Sequence, residues 1–111
     1  MGTDCSISWD RGNSREAWDD AFAPGGHWDK VNGDALTECF GRCILENLNP
    51  EVTEYLETLC PWVLDWGCAR GQITALLRQR FPQAHVAGMD FARTVISQAV
   101  EQHGGDRKSV V

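Results

Sequence analysis

Two carboxylates and one turn of small residues are the groups of this chain best suited to chemistry. Val63 and Leu64 lead into Asp65, and Gly67, Cys68, Ala69 and Gly71 follow at once. A small-residue turn that opens a helix near Gln72 leaves backbone N–H groups free at the helix start. It also lets a ligand approach the main chain. Asp90 stands 19 residues after Gly71, at the end of the apolar run His85-Val86-Ala87-Gly88-Met89. A carboxylate about 20 residues beyond a glycine turn is where a βαβ nucleotide site holds ribose hydroxyls. The spacing therefore points to a ligand that presents a sugar to Asp90 and lies against the turn.

Three readings of the turn compete. A dinucleotide fingerprint needs G-x-G-x-x-G, its third glycine allowing close packing of helix on strand. Here the spacing is G-x-A-x-G and the next residue is Gln72. The second reading is a structural turn with no ligand. The third is a resemblance: residues 63–99 resemble the nucleoside-binding half of class I S-adenosylmethionine-dependent methyltransferases. The turn is similar to that family's first motif, a strand ending in an acid followed by G-x-G-x-G. Asp90-Phe91 is similar to the second, and Val95, Ile96 and Ala99 match the apolar positions of the next helix. Two departures are Ala69 at the middle glycine and Ala92 where many relatives carry a small hydroxyl residue. Alanine still permits close approach of a cofactor if its φ is negative.

The resemblance implies an α/β fold with a Rossmann-like, doubly wound parallel sheet, and S-adenosylmethionine as cofactor. By the same resemblance Gly67, Cys68, Ala69 and Gly71 pack against the cofactor's amino-acid tail. Asp65 orients the tail's ammonium, Asp90 accepts from both ribose hydroxyls, and Phe91 lies on the adenine. Read without the resemblance, Asp65 is a carboxylate capping turn N–H groups and Phe91 is core. His85 and His103 are the available bases. Neither is expected at the ligand end of a strand, so no catalytic residue is assigned.

Composition narrows the partners. The chain has 111 residues, enough for one domain. Its formal net charge of −6 and scattered basic residues argue against a nucleic-acid surface, which needs a basic patch. A small-molecule acceptor is the expectation. No apolar run approaches the ~20 residues of a membrane span, and the N-terminus lacks the basic and apolar regions of a signal peptide. Gly2 and Ser6 fit the myristoylation pattern only loosely. The cysteines at 5, 39, 43, 60 and 68 are odd in number and contain no C-x-x-C pair. They read as free thiols in a reducing, cytoplasmic setting. His27, His85 and His103 show no ligand spacing, so no metal site is expected.

The elements that must hold these residues fall into two parts. Residues 1–60 read as an N-terminal helical segment. Asn13 and Glu16 make a capping-box pattern before a helix that puts Trp18 and Phe22 on one face. That helix is either an aromatic packing element or a lid over the cofactor, and Pro24-Gly25-Gly26 ends it. Trp9 and Trp28 decide nothing. A longer helix over 34–47 carries an apolar face of Leu36, Phe40, Cys43, Ile44 and Leu48, with Gly41 on its other side. A third starts at Asn49-Pro50 and carries Val52, Tyr55, Leu56 and Leu59.

Residues 61–111 read as the first part of the sheet domain. Strands are expected over 62–65 and 85–89. A helix over 72–80 turns Ile73, Leu76, Leu77 and Arg80 to the sheet, and another over 93–102 buries Val95, Ile96, Ala99 and Val100. Ser109-Val110-Val111 reads as the start of a third strand. We therefore expect a truncated Rossmann-like fold with incompletely packed helix faces and an exposed sheet edge prone to self-association. The chain alone is expected to be inactive. The alternative is a non-enzymatic module that binds cofactor or a partner.

Overall fold

In the computed structural model, residues 14–103 are described. Asn13, Trp9, Cys5 and the strand expected at Ser109–Val111 lie outside them. Six helices and two strands follow in order: α1 (Arg15–Phe22), α2 (His27–Lys30), α3 (Gly33–Glu46), α4 (Pro50–Thr58), β1 (Trp62–Trp66), α5 (Gln72–Arg80), β2 (His85–Met89) and α6 (Arg93–His103). The short α2 was not anticipated from the sequence. Among the described residues, no helix is long and apolar enough to cross a membrane.

The two strands pair in parallel, from Trp62 opposite His85 to Trp66 opposite Met89. The connection from β1 through α5 to β2 is thus a βαβ unit. A two-stranded parallel sheet with these helices is compatible with an α/β fold. Val63 and Asp65 share a face with Val86 and Gly88, and this face is covered. Val86 is 1% exposed and packs with Leu56, Phe81 and Ala84, joined by Leu45, Leu48, Val63 and Leu77. A second core gathers Phe22, Ala69, Ala92 and Val95, with Trp18, Trp28 and Ile96 against it.

Local chemistry explains the helix ends. Ser14, one residue later than expected, caps α1 by accepting from the Ala17 N–H at 3.1 Å. Asn49 caps α4 by accepting from Glu51 N–H at 2.8 Å, with Pro50 in the first helical position. Thr94 N–H at the start of α6 finds its acceptor far away in sequence, in Asp19 of α1 at 2.9 Å. That bond is the main reason the Asp19 carboxyl sits below its ordinary range.

Several expected faces differ. On α3 the contact with α5 runs through Gly41, not away from it. A Cβ at Gly41 would come 2.9 Å from Leu76 Cδ1 and 3.0 Å from Ile73 Cγ1, so a larger residue would require these side chains to shift. The rotation leaves Leu36, Phe40 and Ile44 exposed, and Cys43 with them. On α4 only Leu56 is buried, while Val52, Tyr55 and Leu59 face out. Ile73 and Leu76 both lie against α3 at Gly41, and Leu76 is buried. Arg80 pairs with Glu57 at 3.0 Å and lies over the Phe81 ring, its side chain about half exposed. Val100 is exposed, whereas Val95 and Ala99 are fully buried.

Candidate functional site

A cavity of about 490 Å³ opens at the carboxyl ends of β1 and β2. That is where a ligand sits in an open α/β sheet, and the size is ordinary for a small-molecule site. Trp66 and Gly67 line it from the end of β1, and Met89, Asp90 and Phe91 from the end of β2. Ala69 contributes from the turn, and Trp18, Phe22 and Trp28 from the N-terminal helices. The α1 helix is held there by two polar links, from its first residue and from its middle. Arg15 donates to the Phe91 carbonyl at 3.0 Å, and Asp19 accepts from Thr94. The rings of Trp18 and Phe22 lie 5.8 Å apart, and those of Phe22 and Trp28 4.8 Å apart, so the three form a continuous aromatic wall.

Of the seven residues singled out from the sequence, Gly67, Ala69, Asp90 and Phe91 face the cavity. Asp65, Cys68 and Gly71 stand behind them. Gly67 has φ +72° and its missing Cβ would meet nothing within 4 Å. The backbone there needs glycine, and the space beside it is open to a ligand. Ala69 does not meet the condition under which alanine would leave a close approach unhindered, a negative φ: it sits at +50°. That left-handed position costs a non-glycine residue about 1–2 kcal/mol. Packing of Ala69 against Phe22, Ala92 and Val95 holds it there.

Four N–H groups of the turn that precedes the helix are engaged within the protein. Gly67 and Cys68 both donate to the Met89 carbonyl, at 2.7 and 2.9 Å, and Gly71 donates to Cys68 at 2.9 Å. Ala69 N–H donates to Asp90 Oδ2 at 3.1 Å, and Ala92 N–H to Asp90 Oδ1 at 3.0 Å. Asp90 therefore ties the end of β2 to the turn and starts α6. A carboxylate has about four acceptor sites, so both oxygens retain capacity toward hydroxyl donors in the cavity. Asp90 is the one charged residue among those lining it.

Asp65 accepts from the Thr74 hydroxyl at 2.7 Å. Burial raises its pKa above the ordinary value, the Thr74 bonds oppose this, and the nearby Asp90 charge adds to it. Cys68 is 2% exposed, and its thiol is pushed up to about 12 by burial and by Asp65 and Asp90. It is a neutral packing group rather than a nucleophile. The turn thus concentrates negative charge with no cation of its own on the cavity side.

One residue escaped the sequence reading, and a second, His103, lies nearer the turn than expected. Arg70, the central position of the turn, is 8% exposed and bonds to residues of α1, α2, α3 and α6 or their ends. Its motif position carries no sign of this. His103 was placed away from the ligand end, yet its ring lies against the turn: a Cβ at Gly71 would come 3.1 Å from it. His103 Nε2 and Gln72 Oε1 are buried without a hydrogen-bond partner among the described residues. His85 stacks on Trp62 at 4.7 Å, far from the cavity end of its strand. Among the described residues, no three metal-ligating side chains cluster.

One stretch of 40 residues is 48% identical to the trans-aconitate 2-methyltransferase of Deinococcus radiodurans, covering 36% of this chain and 16% of that protein. No family model matches the chain. No solved structure matches it at the same stringency. The local likeness supports a methyltransferase relationship in general and reaches neither cofactor nor acceptor.

Proposed function

We propose that the chain carries the S-adenosylmethionine site of a methyltransferase acting on a small-molecule acceptor. The observation that carries this reading is the cavity at the carboxyl ends of two parallel strands, with open space at Gly67 and the Asp90 carboxylate on its wall. The fit to a cationic nucleoside is chemical. Asp90 has acceptor capacity for ribose hydroxyls, the Phe91 ring is about half exposed and can lie on an adenine, and the Asp65–Asp90 charge favours a cation. When bound, the cofactor's sulfonium supplies the methyl group and the leaving group. The protein then binds, orients and excludes water. The aromatic wall of Trp18, Phe22 and Trp28 serves as the lid, and aromatic faces suit a passing positive charge.

Among the described residues lining the cavity Asp90 is the one titratable side chain, and this reading gives it to the ribose; the 111 residues alone are expected to transfer no methyl group. A specific observation favours a partner-binding role alongside: the outer face of β1 is bare, and self-association through it is part of this proposal. The acceptor of the Deinococcus relative is not carried over, because the cavity wall offers an acceptor carboxylate no cation. Titration calorimetry with S-adenosylmethionine and S-adenosylhomocysteine tests the reading. Binding of either, with none of NAD, is expected. NAD binding without S-adenosylmethionine binding would restore the dinucleotide alternative, and silence from all three would leave a structural turn.

A further inference from the structure

Arg70 is a buried cation inside the small-residue turn, yet its side chain is not among those lining the cavity. Its guanidinium donates in four directions. Nε donates to Gln98 Oε1 at 2.7 Å, Nη1 to Asp29 Oδ1 at 2.8 Å and Asp34 Oδ2 at 3.2 Å, and Nη2 to the Phe22 carbonyl at 3.2 Å. Each acceptor is itself tied to the aromatic wall or its frame. Asp34 Oδ1 accepts from the Trp28 indole at 2.8 Å, Asp29 Oδ2 from Gly25 N–H at 2.8 Å, and Gln98 donates to the Phe22 carbonyl at 2.7 Å.

We infer that Arg70 is the latch of the aromatic wall: a positioning residue that locks Phe22 and Trp28 against the turn and so sets how closed the cavity is. Three observations support it. First, Phe22 and Trp28 line the cavity, and each is one bond, or one carboxylate, from the guanidinium. Second, the neighbouring Ala69 packs on Phe22, so turn and wall meet at adjacent residues. Third, the guanidinium is buried while Asp29 and Asp34 are partly exposed, so its acceptors hold it rigidly; truncating Arg70 strips Phe22, Asp29 and Asp34 of one shared donor, and neutralising Asp29 weakens the pairing of the buried cation. The pairing is mutual: the bonds from Gly25 and Arg70 hold the Asp29 carboxyl low, and those from Asp29 and Asp34 raise Arg70 against burial. A lysine could not serve, because a single ammonium cannot span acceptors arranged around a planar fork.

The inference concerns the wall and not the identity of the ligand, so its first readout needs no ligand. In the full chain, the Trp28 indole N–H resonance, identified by its loss in Trp28→Phe, should be slow to exchange. In Arg70→Met it should shift and exchange fast, while the amides of β1 and β2 stay protected. Asp29→Asn, which keeps the cation, should give the same change in milder form and serves if Arg70→Met fails to fold. The second readout is affinity for S-adenosylhomocysteine. Arg70→Met should weaken it about tenfold, as expected of a wall closed roughly a tenth of the time. The same change in a Phe22→Ala/Trp28→Ala background should add nothing further. Arg70→Lys should not rescue.

An unmoved Trp28 resonance in folded Arg70→Met and Asp29→Asn would overturn the latch. So would a full, additive loss of affinity in the wall-less background, since Arg70 would then be acting on the turn directly. A moved resonance in a protein that binds no S-adenosylhomocysteine at all would support the latch and remove the proposed cofactor.

Discussion

Two sides of one strand meet different surroundings. Val63 and Asp65 point toward α5, where Thr74 reaches Asp65 and Val86 across the register is 1% exposed. Trp62, Leu64 and Trp66 point the other way and are 78%, 53% and 76% exposed. Parallel strands are ordinarily covered on both faces, and a contiguous apolar patch marks an interaction surface. The closed side is where polar partners are matched bond by bond, and it leads to the cavity. The open side has side chains but no partners of that kind. The proposed ligand site and docking surface divide across this strand of five residues except at Trp66, which belongs to the open side and also lines the cavity, so substitutions at Trp62 and Leu64 should move docking without ligand binding.

The sharpest way to break the closed side is Gly67→Val. A β-branched residue at φ +72° is strained whatever the space around it, and here its methyls would stand where the ligand is proposed to lie. We expect S-adenosylmethionine binding to vanish in calorimetry, while urea unfolding shows a loss of about 1–2 kcal/mol from strain alone. A variant that binds as the wild type would mean that the turn does not touch the ligand.

Next in size is Asp90→Ala. Loss of ribose bonds should weaken binding by about 2–4 kcal/mol, from charge-assisted bonds of roughly 1.5–3 kcal/mol each with allowance for non-additivity. The internal geometry adds a second effect. Ala69 and Ala92 N–H both lose their acceptor, so unfolding free energy should fall by about 1–3 kcal/mol even without ligand. Lost stability with unchanged affinity would reduce Asp90 to a structural tie.

The limits of sequence reading follow from which forces are local. The strand His85–Met89, the helix Gln72–Arg80 and the Asn49-Pro50 cap were all legible, because apolar runs, proline and capping chemistry act within a few residues. The spacing from Gly71 to Asp90 was legible for another reason, that a βαβ unit sets how far apart in sequence its two strand ends fall. Helix rotation was not. The stripe of Leu36, Phe40 and Ile44 suggests the buried side of α3, yet Gly41 makes the contact, because close approach to Leu76 outweighs burial of the stripe. Arg70 was invisible because its acceptors lie 28 to 48 residues away and no motif reserves them. The role of Trp28 depended on Asp34 being turned toward it, again a tertiary fact.

The open side is sharpened by replacing Trp62 and Leu64 together with threonine. Threonine keeps β propensity, and neither residue lines the cavity. The stacked contact of Trp62 on His85 is lost, so stability should change by about 1 kcal/mol or less. Sedimentation should show that any self-association of the wild type disappears while ligand affinity stays put. Persistent oligomers would move the interface elsewhere, with the exposed Leu36–Phe40–Ile44 stripe next in line.

The smallest expected effect distinguishes the two sides by charge. Burial raises the pKa of Asp65 above 3.8, with Thr74 partly opposing. Between 3.8 and the folded value the native state binds more protons than the unfolded state, so this group's contribution to stability falls as pH rises through that window. Below 3.8 the carboxyl is neutral in both states and contributes no penalty; above the folded value the penalty is complete and constant. Asp65→Asn removes the charge and leaves an oxygen for the Thr74 hydroxyl. Its stability relative to the wild type should therefore improve as pH rises through the window and then level off, in thermal unfolding measured at several pH values. A bound cation reverses the preference, because it favours the ionised carboxylate. Wild-type affinity for S-adenosylmethionine should then rise with pH across the same window, and Asp65→Asn should flatten that rise. If affinity is flat in the wild type as well, Asp65 is only the cap of Thr74, and the negative charge behind the turn plays no part in choosing the ligand.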